Sequence, residues 1–156
     1  MKKGSILFLK TIIGILAFTV LVLHVFVLPR IILAEFKSDF DYLPILLGIY
    51  LPAIAFSIAL HSAWNLLGLI DRNLAFSKLS IKALRRIKYC SFIISTLYAI
   101  GLPYIFMLAQ EDDAPGLALL GLIFTFGPFV IGAAAAVFQR IFQNALDIKS
   151  ENELTV

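Results

Sequence analysis

Four long apolar stretches dominate this chain and are separated by short polar gaps. Each stretch is continuous rather than alternating, and together they cover about residues 12–28, 43–70, 89–109 and 114–138. A hydrocarbon core of about 30 Å needs roughly 20 apolar residues in a helix, whereas a membrane strand needs only about ten alternating residues. Because backbone polar groups in lipid must be bonded internally, only helices and closed barrels span it. The pattern therefore predicts four transmembrane helices.

The composition supports an all-α integral membrane protein. The chain is 61% hydrophobic and 15% charged, whereas a soluble domain averages about 45–50% apolar and about 25% charged residues. We therefore expect a four-helix transmembrane bundle over residues 1–138 and a short tail over 139–156. The first apolar stretch is too long for a signal peptide and no A-x-A-like cleavage site follows it, so we expect a retained helix.

The basic residues predict the orientation of the helices. Eleven of the 13 Lys and Arg residues lie before the first span, between spans two and three, or after span four, and two lie in the other gaps. Short loops rich in Lys and Arg stay in the cytoplasm. We therefore expect a multi-pass plasma membrane protein with both termini in the cytoplasm.

The gap between spans two and three predicts a basic amphipathic helix. Ser80 is a candidate N-cap, and an apolar face of Ile81, Leu84 and Ile87 follows at helical spacing. The opposite face carries Lys82, Arg85, Arg86 and Lys88. Such a segment either lies at the membrane interface or runs directly into the third span. Two interpretations stay open, a topology signal that also holds phospholipid headgroups and a docking surface for a cytosolic partner.

The segment after the fourth span continues a helical pattern. One face is apolar and the other is polar; the apolar side carries Phe138, Ile141, Phe142, Ala145, Leu146 and Ile148. We expect helix four to extend into the cytoplasm for two or three turns as an amphipathic tail.

A polar stripe marks one face of the second span. Ser57, His61, Trp64 and Asn65 recur at helical spacing. Because unpaired polar groups are expensive in lipid, the stripe indicates hydrogen bonds between helices or, alternatively, a sensing or substrate site. No Cys, Asp or Glu accompanies the two histidines at membrane depth, so we expect no metal, no cofactor and no catalytic residues.

Two stretches resemble a known family. Ala75-Phe76-Ser77 with the following Ile81–Ile87, and the C-terminal Glu151–Val156, are similar to the recurrent stretches of the small bacterial four-helix membrane proteins of domain of unknown function 2975. Genes of that family often lie beside one for a small helix-turn-helix DNA-binding protein. The resemblance therefore implies such a cytosolic partner; we take the candidate contacts from the basic segment and the tail: Lys82, Arg85, Arg86, Asp147, Glu151 and Glu153.

These observations predict a non-enzymatic regulatory or sensor protein of the bilayer. The alternative is a transport or export accessory protein with a polar path along helix two. We expect no direct nucleic acid binding by this chain, and the sequence leaves a homo-oligomer open.

Overall fold

The computed structural model describes residues 3–27, 29–30, 33 and 43–154. Four long helices account for most of them. The helices are α1 (Lys3–Val22), α2 (Leu43–Asp71), α3 (Lys78–Glu111) and α4 (Pro115–Leu154), and a π-helical turn, Leu23–Val27, follows α1. The predicted end of the first span at Leu28, residues 155–156 of the tail and the side chain of Glu153 lie outside the described part.

All four helices are long and apolar enough to cross a membrane, which agrees with the number of helices predicted. The helices are longer than the apolar stretches. Helix α1 begins by Lys3, α3 begins at Lys78 and α4 continues to Leu154. Hydropathy marks where a helix meets lipid, whereas the backbone hydrogen bonds continue until a cap or a breaker stops them. The basic amphipathic segment is therefore the first part of α3.

The helices pack in sequence order. Helix α4 packs most extensively on α3, α3 packs on α2, and α2 packs on α1. Within the part of the chain that the structure describes, no extensive contact joins α1 or α2 to α4. The predicted bundle is thus an open row of helices, with α1 held mainly by α2.

The α3–α4 pair is the best-packed part of the molecule. A Cβ atom added at Gly132 would lie 3.3 Å from the ring of Phe92 and from Ser91 Cβ, so the glycine allows the two backbones to approach closely. The buried Ser95 hydroxyl donates a hydrogen bond of 2.8 Å to the Thr125 carbonyl oxygen across the interface. Small residues and hydrogen bonds of this kind hold helices together in lipid, where no hydrophobic force does so.

A short loop connects α2 to α3 and fixes the direction of both. Helix α2 ends in a Schellman motif: Leu74 N–H bonds to the Leu69 carbonyl, and Asn73 has a φ of 59°. Asparagine tolerates this left-handed conformation better than most residues. The N-cap of α3 is Ser77, whose side chain accepts from the Ser80 N–H.

The sequence-based assignment of Ser80 as the N-cap is therefore wrong by one turn. Ser80 lies inside α3 and is fully buried, and its hydroxyl donates to the Leu74 carbonyl oxygen at 2.9 Å. The next residues have the expected amphipathic arrangement, with Ile81 and Leu84 buried and Lys82, Arg85 and Arg86 exposed.

Candidate functional site at the basic end

The fold brings together basic residues from distant parts of the sequence. The early part of α1, the end of α2, the start of α3 and the last third of α4 lie at the same end of the molecule. Contacts between Lys10 and Asp71 and between the rings of Phe76 and Phe142 fix this arrangement. We call this region the basic end. It contains two open cavities.

The first cavity lies between α3 and the last third of α4 and has a volume of about 710 Å³. We call it the loop–tail cavity. It is lined by Lys78, Ile81, Lys82, Arg85, Arg86, Tyr89, Gln143, Leu146, Asp147 and Ser150. Four cations, one carboxylate and three apolar or aromatic side chains make its wall basic with an apolar component. Such a wall can bind an acidic, partly apolar surface.

Local contacts hold the loop–tail cavity in shape. The Gln143 side-chain amide donates to an Asp147 carboxylate oxygen at 3.0 Å, one helical turn away. The ring of Phe76 in the α2–α3 loop lies 5.0 Å, between centroids, from the ring of Phe142 on α4. The loop, α3 and α4 therefore form one continuous surface.

The candidate contacts inferred from sequence have different positions here. Lys82, Arg85, Arg86 and Asp147 all line the loop–tail cavity. Glu151 is exposed on α4 and does not line it. The structure thus brings together four of the candidate residues, although the basic segment and the tail are about 60 residues apart in the chain.

The second cavity lies between α1, α2 and α3 and has a volume of about 590 Å³. We call it the Lys10 cavity. It is lined by Lys10, Ser62, Trp64, Asn65, Gly68, Leu69, Asp71, Arg72, Leu79, Lys82, Ala83 and Arg86. Lys82 and Arg86 also line the loop–tail cavity, so these two side chains lie on a wall that both cavities share.

The sequence did not indicate the Lys10 cavity as a site. Its cations come from α1, from the turn after α2 and from α3, and no spacing rule relates Lys10 to Arg72. Lys10 is linked to the end of α2 by an ion pair between its Nζ and an Asp71 carboxylate oxygen, which are 3.2 Å apart. With side chains 26% and 41% exposed, this pair contributes at most about 1 kcal/mol to stability.

The polar stripe of the second span faces a groove between α1 and α2. We call it the His61 groove; its volume is about 550 Å³. It is lined by Ile13, Gly14, Ala17, Leu21, Ser57, Leu60, His61, Trp64 and Asn65.

The stripe does not form the expected hydrogen bonds between helices in the described part of the chain. The Ser57 hydroxyl donates to the Ala53 carbonyl of its own helix at 2.9 Å. His61 and Asn65 are exposed to the groove and have no hydrogen-bond partner on α1 among the described residues. Their polar atoms remain available to a molecule in the groove.

The arrangement at the basic end is suited to binding. Among the residues that the structure describes, no group of three or more His, Cys, Asp or Glu side chains is placed to hold a metal ion. The two cavities instead combine six cations with two carboxylates. This balance favours an anionic ligand or an acidic partner.

Comparison with known proteins gives the family but no activity. A family model described as a protein of unknown function (DUF2975) matches residues 30–156. An uncharacterized membrane protein, YoaS, of Bacillus subtilis (strain 168) is 43% identical over 160 residues, and the alignment covers 100% of both chains. No solved structure matches. With its four spanning helices, the chain is a multi-pass membrane protein that belongs to the DUF2975 family.

Proposed function

We propose that this chain is a non-enzymatic regulatory membrane protein whose basic end faces the cytoplasm and binds a small helix-turn-helix DNA-binding protein. The observation that carries the proposal is the loop–tail cavity. The first of the two stretches on which the family resemblance rests lines this cavity, and the second borders it. The first includes Phe76, which contacts α4 beside it, and the second begins at Glu151, one residue after Ser150 in its wall.

The chemistry of the loop–tail cavity defines the partner surface. Lys78, Lys82, Arg85 and Arg86 give the cavity an excess of positive charge, while Ile81, Tyr89 and Leu146 add apolar area. The complementary surface is acidic with an apolar centre. A DNA-binding protein keeps its basic surface for phosphates, so it would bind here through a face remote from DNA. Holding it at the membrane would withdraw it from its sites on DNA.

The proposal is tested with the tagged protein purified from its own cell membranes, followed by mass spectrometry of the proteins that copurify. Arg85→Glu reverses one charge in the loop–tail cavity. The matched control is Arg140→Glu, an exposed α4 residue that lines neither cavity. We expect a small helix-turn-helix protein to copurify with the parent chain and with the control variant. Its recovery with Arg85→Glu should fall about ten-fold, as loss of a close charge pair worth ~1.4 kcal/mol would produce.

Two results would count against this function. One is the absence of any small DNA-binding protein from all preparations. The other is equal recovery with Arg85→Glu and Arg140→Glu, because a specific cavity must distinguish them. Size-exclusion chromatography in detergent shows whether each variant is folded, so that either result can be distinguished from misfolding.

A transport or export accessory role is the second candidate, and the His61 groove favours it. Ser57, His61 and Asn65 present polar atoms along one wall of this groove. Under this alternative, His61→Ala abolishes proton flux in proteoliposomes and leaves copurification of the partner unchanged. Under the leading proposal, the variant changes neither measurement. Proton flux in the parent chain that disappears in the variant would favour transport.

A further inference from the structure

The Lys10 cavity contains more positive charge than its own carboxylate can balance. Asp71 is already bound to Lys10. Arg72, Lys82 and Arg86 have no carboxylate within salt-bridge distance among the side chains that the structure describes. Three cations that share one wall repel each other, and an anion from outside the chain would relieve this repulsion.

We propose that the Lys10 cavity binds the phosphate of an acidic phospholipid, and that one acyl chain of this lipid lies in the His61 groove. This site shares Lys82 and Arg86 with the wall of the loop–tail cavity, but the proposal does not depend on the proposed function.

The depth of the cavity covers the headgroup region and the boundary below it. Along α2 its lining extends from Ser62 to Asp71, which is about 14 Å at 1.5 Å per residue. The interfacial layer of one leaflet is about 5–8 Å thick, half the difference between the whole bilayer and its hydrocarbon core, so the lower part of the cavity reaches the hydrocarbon. Trp64 in this lower part is 45% exposed, and tryptophan is enriched at the boundary.

The two spaces are continuous. Trp64 and Asn65 line both the Lys10 cavity and the His61 groove. From Asn65 the groove follows α2 to Ser57, about 12 Å towards the middle of the bilayer. Gly14 on α1 lies beside this junction, where an added Cβ atom would be in ordinary van der Waals contact, at 3.5 Å, with the Trp64 ring.

The groove combines an apolar lining, suited to an acyl chain, with polar side chains along its α2 wall. Ile13, Ala17, Leu21 and Leu60 provide an apolar lining. Asn65, at the junction, can donate a hydrogen bond to an ester carbonyl of the lipid. Free phosphate would use only the Lys10 cavity and would leave the groove unexplained. The continuity of a cationic cavity with an apolar groove therefore favours a lipid.

The experiment is native mass spectrometry of the full chain in detergent, titrated with phosphatidylglycerol, phosphatidylcholine or inorganic phosphate. Arg72→Gln removes a cation that lines only the Lys10 cavity. The matched control, Arg85→Gln, removes one that lines only the loop–tail cavity. Ala17→Phe fills the groove without changing the charge.

We expect one tightly bound phosphatidylglycerol and much weaker binding of phosphatidylcholine. Arg72→Gln should weaken the binding of phosphatidylglycerol about five-fold, which corresponds to about 1 kcal/mol for one basic residue near an anionic headgroup. Ala17→Phe should weaken it as well, and Arg85→Gln should change it less than two-fold.

Three results would overturn the proposal. Equal losses with Arg72→Gln and Arg85→Gln would show diffuse surface attraction, and equal affinity for phosphatidylcholine would show that the headgroup charge does not matter. Displacement of the lipid by inorganic phosphate, with no effect of Ala17→Phe, would assign the cavity to free phosphate. Arg72 lines only the Lys10 cavity and Arg85 lines only the loop–tail cavity. Arg72→Gln should therefore weaken lipid binding without reducing copurification of the partner, and Arg85→Gln should do the reverse. Failure of this proposal can thus be distinguished from failure of the proposed function.

Discussion

At the scale of single residues, the loop–tail cavity combines charged side chains from two distant segments of the chain. Lys82, Arg85, Arg86 and Asp147 were named as candidate contacts because they lie in the basic segment and the tail, and the structure places all four on one cavity. Lys10 was not recognised as part of a site, because its neighbours come from other helices. Contacts between side chains of different helices depend on how each helix is rotated about its axis and how deep it lies in the membrane, which a single sequence does not specify.

The Ser95 hydroxyl gives a direct test of the α3–α4 interface. Ser95→Ala removes its hydrogen bond to the Thr125 carbonyl, and we expect a loss of about 0.6 kcal/mol in unfolding free energy, the average for such bonds between membrane helices. The control is Thr96→Ala, because Thr96 is exposed and bonds to the Phe92 carbonyl of its own helix. Reversible unfolding in mixed micelles measures the unfolding free energies of both variants. A larger effect for Thr96→Ala would contradict the assignment.

At the scale of helices, hydropathy located all four elements but not their ends. The apolar stretch of the third span begins near residue 89, whereas α3 begins at Lys78. The added turns are polar on one side, so a hydropathy average does not detect them. The start was also obscured by two serines one turn apart. Ser77 caps the helix because Asn73 has already ended α2, and Ser80 then falls within the first turn.

The corrected N-cap leads to a prediction about helix stability. Ser77→Ala should destabilise the start of α3 by about 1 kcal/mol, because the Ser80 N–H loses its acceptor. Ser77→Asp should retain most of the stability, since aspartate is an equally good N-cap. Hydrogen exchange at residues 78–82 in detergent measures the effect. Faster exchange in both variants would show that the hydroxyl itself, rather than capping, is needed.

At the scale of the whole molecule, the sequence predicted the membrane class and the number of spans, and both are confirmed. It did not predict the open row of helices. Every helix in such a protein is apolar around most of its surface, so the pattern does not show which face meets lipid and which meets a neighbour. Six of the positive residues in the described part of the chain nevertheless line the two cavities at one end.

The orientation of that end is open to a labelling test. With Cys90→Ser as background, a single cysteine replaces either Ser150 at the basic end or Asp112 in the turn between α3 and α4; both residues are exposed. A maleimide that cannot cross membranes should label Asp112→Cys in intact cells, and it should label Ser150→Cys only after permeabilisation. The reverse pattern would place the basic end outside and would remove the cytosolic partner from the proposed function.

The continuity of α3 and α4 has a mechanical consequence. Neither glycine nor proline occurs in residues 78–100 or 133–154, so these paired segments contain no hinge of the usual kind. Moving together, they would form a lever about 33 Å long. When a bilayer changes thickness, its helices adjust their tilt, and a rotation of about 10° would displace the far end of this lever by about 6 Å. A change of membrane thickness that tilted the two segments would therefore also move the cavity at their end.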